Sequence, residues 1–229
     1  TVKTIAKRHG LYASFMPKPK YGMCGSGMHI NMSLFNKEGQ NIFVDENDKN
    51  GLSKEAYNFI AGLMKHMRSM TAIINPIVNS YKRLVPGYEA PTYIAWSATN
   101  RSPLIRVPAA RGLGTRVELR SPDCATNPYL AIAVCLAAGL DGIKNNLQPV
   151  DSIQRDIYSM TDEERDEAGI ENLPKNLYEA IQEMRKSDFV KGVLGKEVFK
   201  KYIKAKEEEW MEYTSQVTDW EIDRYLGRI

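Results

Sequence analysis

Residues 28–34, Met28-His29-Ile30-Asn31-Met32-Ser33-Leu34, alternate strictly between apolar and polar side chains. Alternate side chains of a strand share a face, so this stretch predicts a β-strand whose apolar face packs on a core. The other face carries His29, Asn31 and Ser33, short hydrogen-bonding and ligating groups, where a solvated face would more usually carry Lys, Glu and Thr. That choice of residues favours a binding site; the alternative is a half-buried strand with incidental polar residues. Gly25-Ser26-Gly27 comes just before and would let the backbone approach a ligand closely, although most such runs are turns.

A second alternating stretch, Arg116-Val117-Glu118-Leu119-Arg120, predicts another strand. Val117 and Leu119 share one face, and Glu118 lies between the two arginines on the other. Neighbouring positive charge favours the ionised form of a carboxylate. The alternative interpretation is a surface ladder of salt bridges, which would contribute little to stability.

Arginines are unusually dense in the proline- and glycine-rich stretch of residues 76–125. Lys82 is the only lysine in that stretch. Arginine offers a planar fork that matches carboxylates and phosphates, which lysine does not. The density therefore predicts a pocket for an anionic ligand. The residues concerned are Arg83, Arg101, Arg106, Arg111, Arg116 and Arg120.

His29 and Glu118, on neighbouring strands, are candidates to bind one divalent cation, Mg²⁺ or Mn²⁺. Such a site needs more oxygen ligands than these two residues supply. The sequence shows no HxxxH, CxxC or DxD pair that would complete it. The remaining ligands are therefore expected before Thr1.

Outside these strands, helical signals dominate. Apolar residues at helical spacing predict a helix over 53–72 with Ser53 as its N-cap, and Asn127-Pro128 predicts a second helix that runs to about Gly142. Thr161 and Thr218 begin capping boxes, and residues 176–229 are predicted almost entirely helical. His66, beside a lysine on the first helix, is expected on its solvated face. Together the signals predict an α+β fold with strands early, helices late and the polar site on the strands.

Composition excludes several classes of protein. The chain has 229 residues, 43% hydrophobic and 26% charged, as in ordinary globular proteins and unlike disordered or collagen-like chains. A net charge of +3 does not argue for nucleic acid, and no apolar run approaches the roughly 20 residues that a membrane helix needs. Three cysteines without paired spacing favour a reduced, cytoplasmic protein. The expectation is therefore no direct nucleic-acid partner and no membrane.

Several motifs resemble glutamine synthetase, most of all the bacterial type I enzyme of Gram-positive organisms. The segment that runs from Lys18-Pro19 through Gly25-Ser26-Gly27-Met28-His29 to Ser33 is similar to the ATP-binding signature of that family. Further similar segments are 79–91, 100–108, 116–120, 127–129 and 138–142. The resemblance implies that residues 1–229 are the C-terminal portion of the catalytic domain. In that case antiparallel strands carry the active site, a helical C-terminal region follows, and the N-terminal β-grasp domain and first catalytic strands are absent.

The resemblance also implies a reaction and a set of roles. Enzymes of this family join ammonia, taken from ammonium, to L-glutamate with ATP, through a γ-glutamyl phosphate. Charge neutralisation by metal and arginine dominates such phosphoryl transfer. The implied metal ligands are His29 and Glu118, and the implied catalytic residues are Glu89, Arg101 and Arg106. Glutamate would be bound by Gly25, Arg83, Glu89, Arg101 and Arg120, and ATP by Asn31, Ser33, Arg101, Arg106 and Arg116.

Two positions depart from the family or need separate interpretation. Cys24 stands where the family usually has Asn, on a loop that contacts glutamate, so its contact is in doubt. Tyr158 aligns with a tyrosine that some members adenylylate; its surroundings differ here, so a structural role is expected.

Assembly and activity follow from the resemblance as expectations. The full-length protein is expected to form a dodecamer and to bind a nitrogen-control transcriptional repressor through its C-terminal region, while the 229-residue chain alone is expected to be inactive. Two alternatives stay open: a ligase that joins glutamate to a polyamine or another amine, and a non-catalytic binding or assembly role.

Overall fold

The computed structural model describes residues 1–100 and 102–229. Its α-helices are α1 (Val2–Arg8), α2 (Lys54–Ile74), α3 (Ser80–Arg83), α4 (Pro128–Lys144), α5 (Asp162–Glu167), α6 (Leu177–Arg185), α7 (Asp188–Leu194), α8 (Lys196–Thr214) and α9 (Asp219–Tyr225). The strands are β1 (Ile30–Met32), β2 (Tyr93–Ile94), β3 (Trp96–Ser97), β4 (Ile105–Arg106), β5 (Val117–Leu119) and β6 (Glu171–Asn172).

The predicted helix starts are confirmed in detail. The Ser53 side chain accepts a hydrogen bond from Ala56 N at the start of α2, and Asn127 caps α4 with proline in its first turn. Both capping boxes form, at Thr161 and at Thr218. These caps form because a side-chain oxygen satisfies amides that have no partner within the first helical turn.

Helices α2 and α4 cross at very short range. A Cβ added at Gly62 of α2 would lie 2.1 Å from Ala138 O, and one added at Gly142 of α4 would lie 1.9 Å from Asn58 O. Only residues without a side chain allow the backbones to approach so closely. The α2–α4 pair therefore forms a rigid layer, which shares one hydrophobic cluster with Trp96, Leu104, Ile105 and Leu119 of the sheet region.

The sheet that carries the predicted site is four-stranded, with the order β1-β5-β4-β3. β5 pairs antiparallel with both β1 and β4, as expected, but β3 and β4 are parallel, which differs from the expected antiparallel arrangement. β2 and β6 form a separate antiparallel pair. Both predicted strands are shorter than their alternating stretches, and α3 lies in a region predicted as loop and strand.

His66 contradicts its prediction as a solvated residue. Its side chain is 11% exposed, its Nε2 lies 2.8 Å from Asp141 Oδ2, and its ring stacks on Phe189 with centroids 3.7 Å apart. The ring is buried because α7 packs over this part of α2 and α4. The helical prediction for residues 176–229 is confirmed by α6 to α9.

None of the helices in residues 1–100 and 102–229 combines the length and apolar character needed to cross a membrane.

Candidate active site

The register of three strands brings a histidine, a carboxylate and an arginine together. Asn31 of β1 and Arg106 of β4 both lie opposite Glu118 of β5. His29 Nδ1 lies 3.0 Å from Glu118 Oε1, and Arg106 Nε lies 2.7 Å from Glu118 Oε2. These three residues are called the Glu118 cluster below.

Glu118 is only 5% exposed, so the alternative of a surface salt-bridge ladder is wrong. Arg106 on the adjacent strand forms an ion pair with it, and Arg120, which the sequence placed beside it, also interacts with its charge. Antiparallel pairing puts Arg106 directly across the ladder from Glu118, closer than same-face neighbours two residues along one strand. A buried carboxylate with this pairing is held in one orientation.

Burial lowers the pKa of His29, and the positive charges of Arg120 and Arg83 act in the same direction. The hydrogen bond and charge of Glu118 oppose this effect. The result favours a neutral imidazole, which keeps a lone pair for a ligand. The His29 side chain is 38% exposed, so the ring remains accessible from outside the sheet.

Within the residues that the structure describes, no group of three or more His, Cys, Asp or Glu side chains could hold a metal ion. His29 and Glu118 therefore stay a predicted pair of ligands in this part of the chain.

The outer edge of β1 carries the predicted polar row. Asn31 and Ser33 are exposed, and Asn31 Oδ1 accepts a hydrogen bond of 3.0 Å from Arg116 Nε. Arg116 also donates to Gly114 O, so its guanidinium is held at the strand's edge. Asn31, Ser33 and Arg116 therefore lie on one accessible side of the sheet, close to the Glu118 cluster.

Arg83 lies beneath the glycine-rich segment 25–27. Its side chain is buried and donates to the backbone carbonyls of Ser121, at 2.6 Å, and Arg120, at 3.2 Å. A Cβ at Gly27 would lie 2.6 Å from Arg83 Nη2, and one at Gly25 would lie 2.3 Å from the backbone oxygen of Pro17, so Gly25 is the position where a side chain has no room. Burial lowers the pKa of Arg83. Sequence reasoning assigned Arg83 to glutamate and missed this support of the loop.

The loop that carries Glu89 borders a cleft of about 1240 Å³. Glu89 and Arg120 line this cleft together with Tyr158, and burial lowers the pKa of Arg120. The fold thus brings Glu89 and Arg120 to one cavity although 31 positions separate them. Arg101, predicted to act in the same region, lies outside the described residues.

Two residues of this region received no chemical role from the sequence. Lys18 contacts the ring of Tyr88, and Tyr158 contacts the carbonyl of Ala90, on either side of Glu89. Lys18 lies in the motif that resembles an ATP-binding signature, which was the only signal for it. Tyr158 could not have been found by spacing, because its contact spans 68 positions.

Comparison with known proteins identifies what this arrangement is similar to. The family profile described as "Glutamine synthetase, catalytic domain" matches residues 1–225. Glutamine synthetase of Clostridium saccharobutylicum is 62% identical over 227 residues, and that of Methanosarcina mazei is 58% identical over 228 residues. These matches cover 99% and 100% of this chain but 51% of each relative, so the chain spans about half the length of the curated relatives it matches.

Two solved structures have a similar fold. A structure of apo GmaS without ligand superposes with a TM-score of 0.86 and 40% identity, covering 98% of this chain and 50% of that one. A GmaS/ADP complex superposes with a TM-score of 0.87 and 39% identity, covering 99% of this chain and 52% of that one.

Proposed function

This chain belongs to the glutamine synthetase family, and on that premise we propose that it is the C-terminal part of the catalytic domain of a cytoplasmic ligase that joins ammonia to L-glutamate. In the proposed reaction a γ-carboxylate oxygen of glutamate attacks the terminal phosphorus of ATP, and ADP leaves. Ammonia then attacks the acyl carbon of the γ-glutamyl phosphate and expels phosphate. The observation that carries this proposal is the buried Glu118 cluster on β5, the strand that leads directly into Arg120 at the wall of the cleft.

Cationic side chains supply the charge balance that this reaction needs. It brings a carboxylate and a polyphosphate together, so fixed positive groups that cost no reorganisation lower the barrier. We assign Arg106, Arg116 and Arg101 to the phosphates, and Asn31 and Ser33 to the nucleotide. Support comes from the accessible position of Asn31, Ser33 and Arg116 on one side of the sheet.

His29 and Glu118 fit a divalent cation, Mg²⁺ or Mn²⁺, as part of its ligand set. A neutral imidazole and a buried carboxylate are both donors to such ions, and burial favours the neutral form of His29. When bound, the cation would neutralise phosphate charge. The arginine partner of Glu118 would keep the carboxylate oriented.

We assign glutamate to the region between the glycine-rich segment and the cleft. Arg120 would hold its carboxylate, while Gly25 allows close backbone approach and Arg83 fixes the carbonyls of Arg120 and Ser121 beneath it. Glu89, at the mouth of the cleft, would accept a proton from ammonium and exclude water from the acyl phosphate.

Assembly is proposed from the C-terminal region. None of the α9 residues is buried, and Trp220 is 61% and Leu226 76% exposed. Exposed apolar groups on one short helix fit an oligomer contact. We propose a dodecamer for the full-length protein, with the same C-terminal region available to a nitrogen-control repressor; native mass spectrometry with and without residues 217–229 tests the first part.

The ligase proposal is tested with the full-length parent protein, ATP, Mg²⁺, glutamate and one amine at a time. Glutamine from ammonium, or γ-glutamyl hydroxamate from hydroxylamine, supports it. Product from a polyamine only would show the amine-ligase alternative, and no product with any amine would leave a binding or assembly role. The 229-residue chain, assayed in parallel, should show little or no turnover, and turnover near the parent's rate would contradict its assignment as an incomplete site.

Glu89→Ala should strongly lower glutamine formation and leave nucleotide binding nearly intact. Without the carboxylate, ammonium is not deprotonated and the loop no longer excludes water, so phosphate release should rise relative to glutamine formation. Both products are measured in one reaction. If both fall in proportion, or neither changes, the assigned role is wrong.

Arg120→Ala should weaken the use of glutamate more than the binding of ATP. Loss of a desolvated, charge-assisted contact costs about 2–5 kcal/mol. The KM for glutamate and the Kd for nucleotide are compared with those of Arg111→Ala, a matched loss of an arginine that bonds the carbonyls of Asn50 and Pro108. An unchanged glutamate dependence would contradict the assignment.

A further inference from the structure

Glu89 has a backbone conformation that a glutamate rarely adopts. Its φ is +63°, in the left-handed region, and Glu89 and Asn146 are the non-glycine residues with positive φ among those described. Gly87, two residues earlier, is also left-handed, with φ +87°. Such a conformation persists in a non-glycine residue where its surroundings hold it. The residues on either side of Glu89 show which groups do so.

On the N-terminal side, the holding group is a buried lysine. Lys18 is 9% exposed, and its Nζ lies 3.7 Å from the centroid of the Tyr88 ring. The same ammonium donates to Met23 O. No ion pair joins Lys18 to a carboxylate in residues 1–100 and 102–229, so the ring face is a principal site for this desolvated charge.

Asn79 fixes the backbone of Lys18. Lys18 N donates to Asn79 Oδ1 at 2.7 Å, and Asn79 Nδ2 donates to Lys18 O at 3.0 Å. The ammonium is therefore presented to the ring of Tyr88 from a main chain that two hydrogen bonds hold.

On the C-terminal side, Tyr158 holds the residue after Glu89. Its hydroxyl donates to Ala90 O at 2.9 Å, and Ala90 is buried. Burial raises the pKa of Tyr158, so the hydroxyl keeps the proton that it donates. The ring of Tyr158 also packs against Tyr93, with centroids 5.6 Å apart.

We propose that Lys18 and Tyr158 are positioning residues that hold Glu89 in its left-handed conformation, Lys18 through the ring of Tyr88 and Tyr158 through the carbonyl of Ala90. The inference rests on the proposed function for its effect on catalysis. Lys18 also bonds Met23 O, two residues before the glycine-rich segment 25–27, so it links the chain that leads into that segment to the Glu89 loop.

The first test is limited proteolysis of the 229-residue chain with a glutamate-specific protease, which needs no activity. Lys18→Met and Tyr88→Leu should each raise the rate of cleavage after Glu89 by about tenfold, since each removes the cation–π contact. The matched controls are Lys18→Arg and Tyr88→Phe, which keep a cation and a ring face and should be cleaved after Glu89 like the wild type. Cleavage after Glu179, in α6, serves as the reference for an intact fold.

A double variant separates the two contacts of Lys18. If Lys18 acts through Tyr88, Lys18→Met should add little to the rate of cleavage after Glu89 in a Tyr88→Leu background, whereas Tyr158→Phe should add its full effect. A full effect of Lys18→Met in that background, or an unchanged rate of cleavage after Glu89 in Lys18→Met, would overturn the proposal.

The second test measures phosphate and glutamine together in the full-length parent. Lys18→Met and Tyr158→Phe should raise phosphate released per glutamine by about tenfold while the KM for ATP stays within about twofold, and Lys18→Arg should restore the wild-type ratio. A loss of thermal stability with an unchanged ratio would show a merely structural role and overturn the proposal. A wild type that makes no glutamine would refute the proposed function, whereas the cleavage rate after Glu89 would still decide the role of Lys18.

Discussion

Two clusters in this molecule contain a histidine, a carboxylate and a cation, and they differ in which member is buried. In the Glu118 cluster the carboxylate is buried, at 7% side-chain exposure, and the His29 side chain is 38% exposed. In the second, called the Asp141 cluster, His66 Nε2 and Lys65 Nζ lie 2.8 and 3.1 Å from Asp141 Oδ2. There the histidine is buried, at 11%, and the carboxylate is 27% exposed.

The difference in burial shows how a histidine and a carboxylate can form an accessible site in one cluster and a packing contact in the other. A buried, paired carboxylate under an accessible imidazole presents ligating atoms to the outside of the sheet. A buried imidazole stacked on Phe189 presents nothing outward and joins α2, α4 and α7 instead. Residue type alone therefore does not separate the two clusters, whereas the exposure of the histidine does.

The largest effect is expected from Glu118→Ala. This change removes the ion-pair partner of Arg106 and the hydrogen-bond acceptor of His29. The guanidinium of Arg106 is then left without its carboxylate in a mostly desolvated position. The free energy of unfolding should fall by about 3 kcal/mol, the low end for breaking a buried pair, because Arg106 is partly exposed. Urea unfolding measures this loss, with Glu118→Gln as the control that keeps shape and hydrogen bonding.

Ligase activity in the full-length parent should also be lost in Glu118→Ala. A loss of stability below about 1 kcal/mol would place this pair with ordinary surface salt bridges. The Glu118 cluster would then not differ from the Asp141 cluster in the size of its contribution to stability.

His66→Ala should cost about 1–2 kcal/mol of stability, from the lost ring stacking and hydrogen bond. Activity in the full-length parent should stay at the wild-type level, because the Asp141 cluster lies on the helical layer away from the cleft. His66→Gln, which retains a hydrogen-bonding group without the ring, separates the two contributions. A large loss of activity in a variant that still folds would contradict the structural role.

The smallest effect is expected from Asp141→Asn, and it depends on pH. The hydrogen bonds and charges of His66 and Lys65 hold the pKa of Asp141 below its ordinary value of 3.8. A carboxylate whose folded-state pKa is depressed contributes stability that is present above the unfolded pKa and lost as pH falls through the folded one. The wild type should therefore exceed Asp141→Asn in stability by less than about 1 kcal/mol at pH 6, and the difference should vanish in acid.

Urea unfolding of both proteins between about pH 6 and pH 3 checks this sign. A difference that grows on acidification would mean that the pair does not favour the ionised carboxylate.

Much of the fold was predictable because it depends on neighbours along the chain. The alternation in residues 28–34 and 116–120 correctly located β1 and β5, and Ser53, Asn127, Thr161 and Thr218 correctly marked helix starts. Periodicity and capping involve residues a few positions apart, so the sequence contains all the information they need. The pairing of His29 with Glu118 also followed, since both lie on the polar faces of strands that were expected to be adjacent.

Other features could not follow from spacing, because they depend on contacts between distant segments. By itself the sequence determined which residues carry charge and which stretches form strands and helices. Only the tertiary structure decided that Arg106, rather than Arg116, faces Glu118, that His66 is buried under α7, and that Lys18 meets Tyr88. The physical reason is that strand register and helix docking are fixed by packing of the whole core, which selects among partners that are chemically equivalent in the sequence.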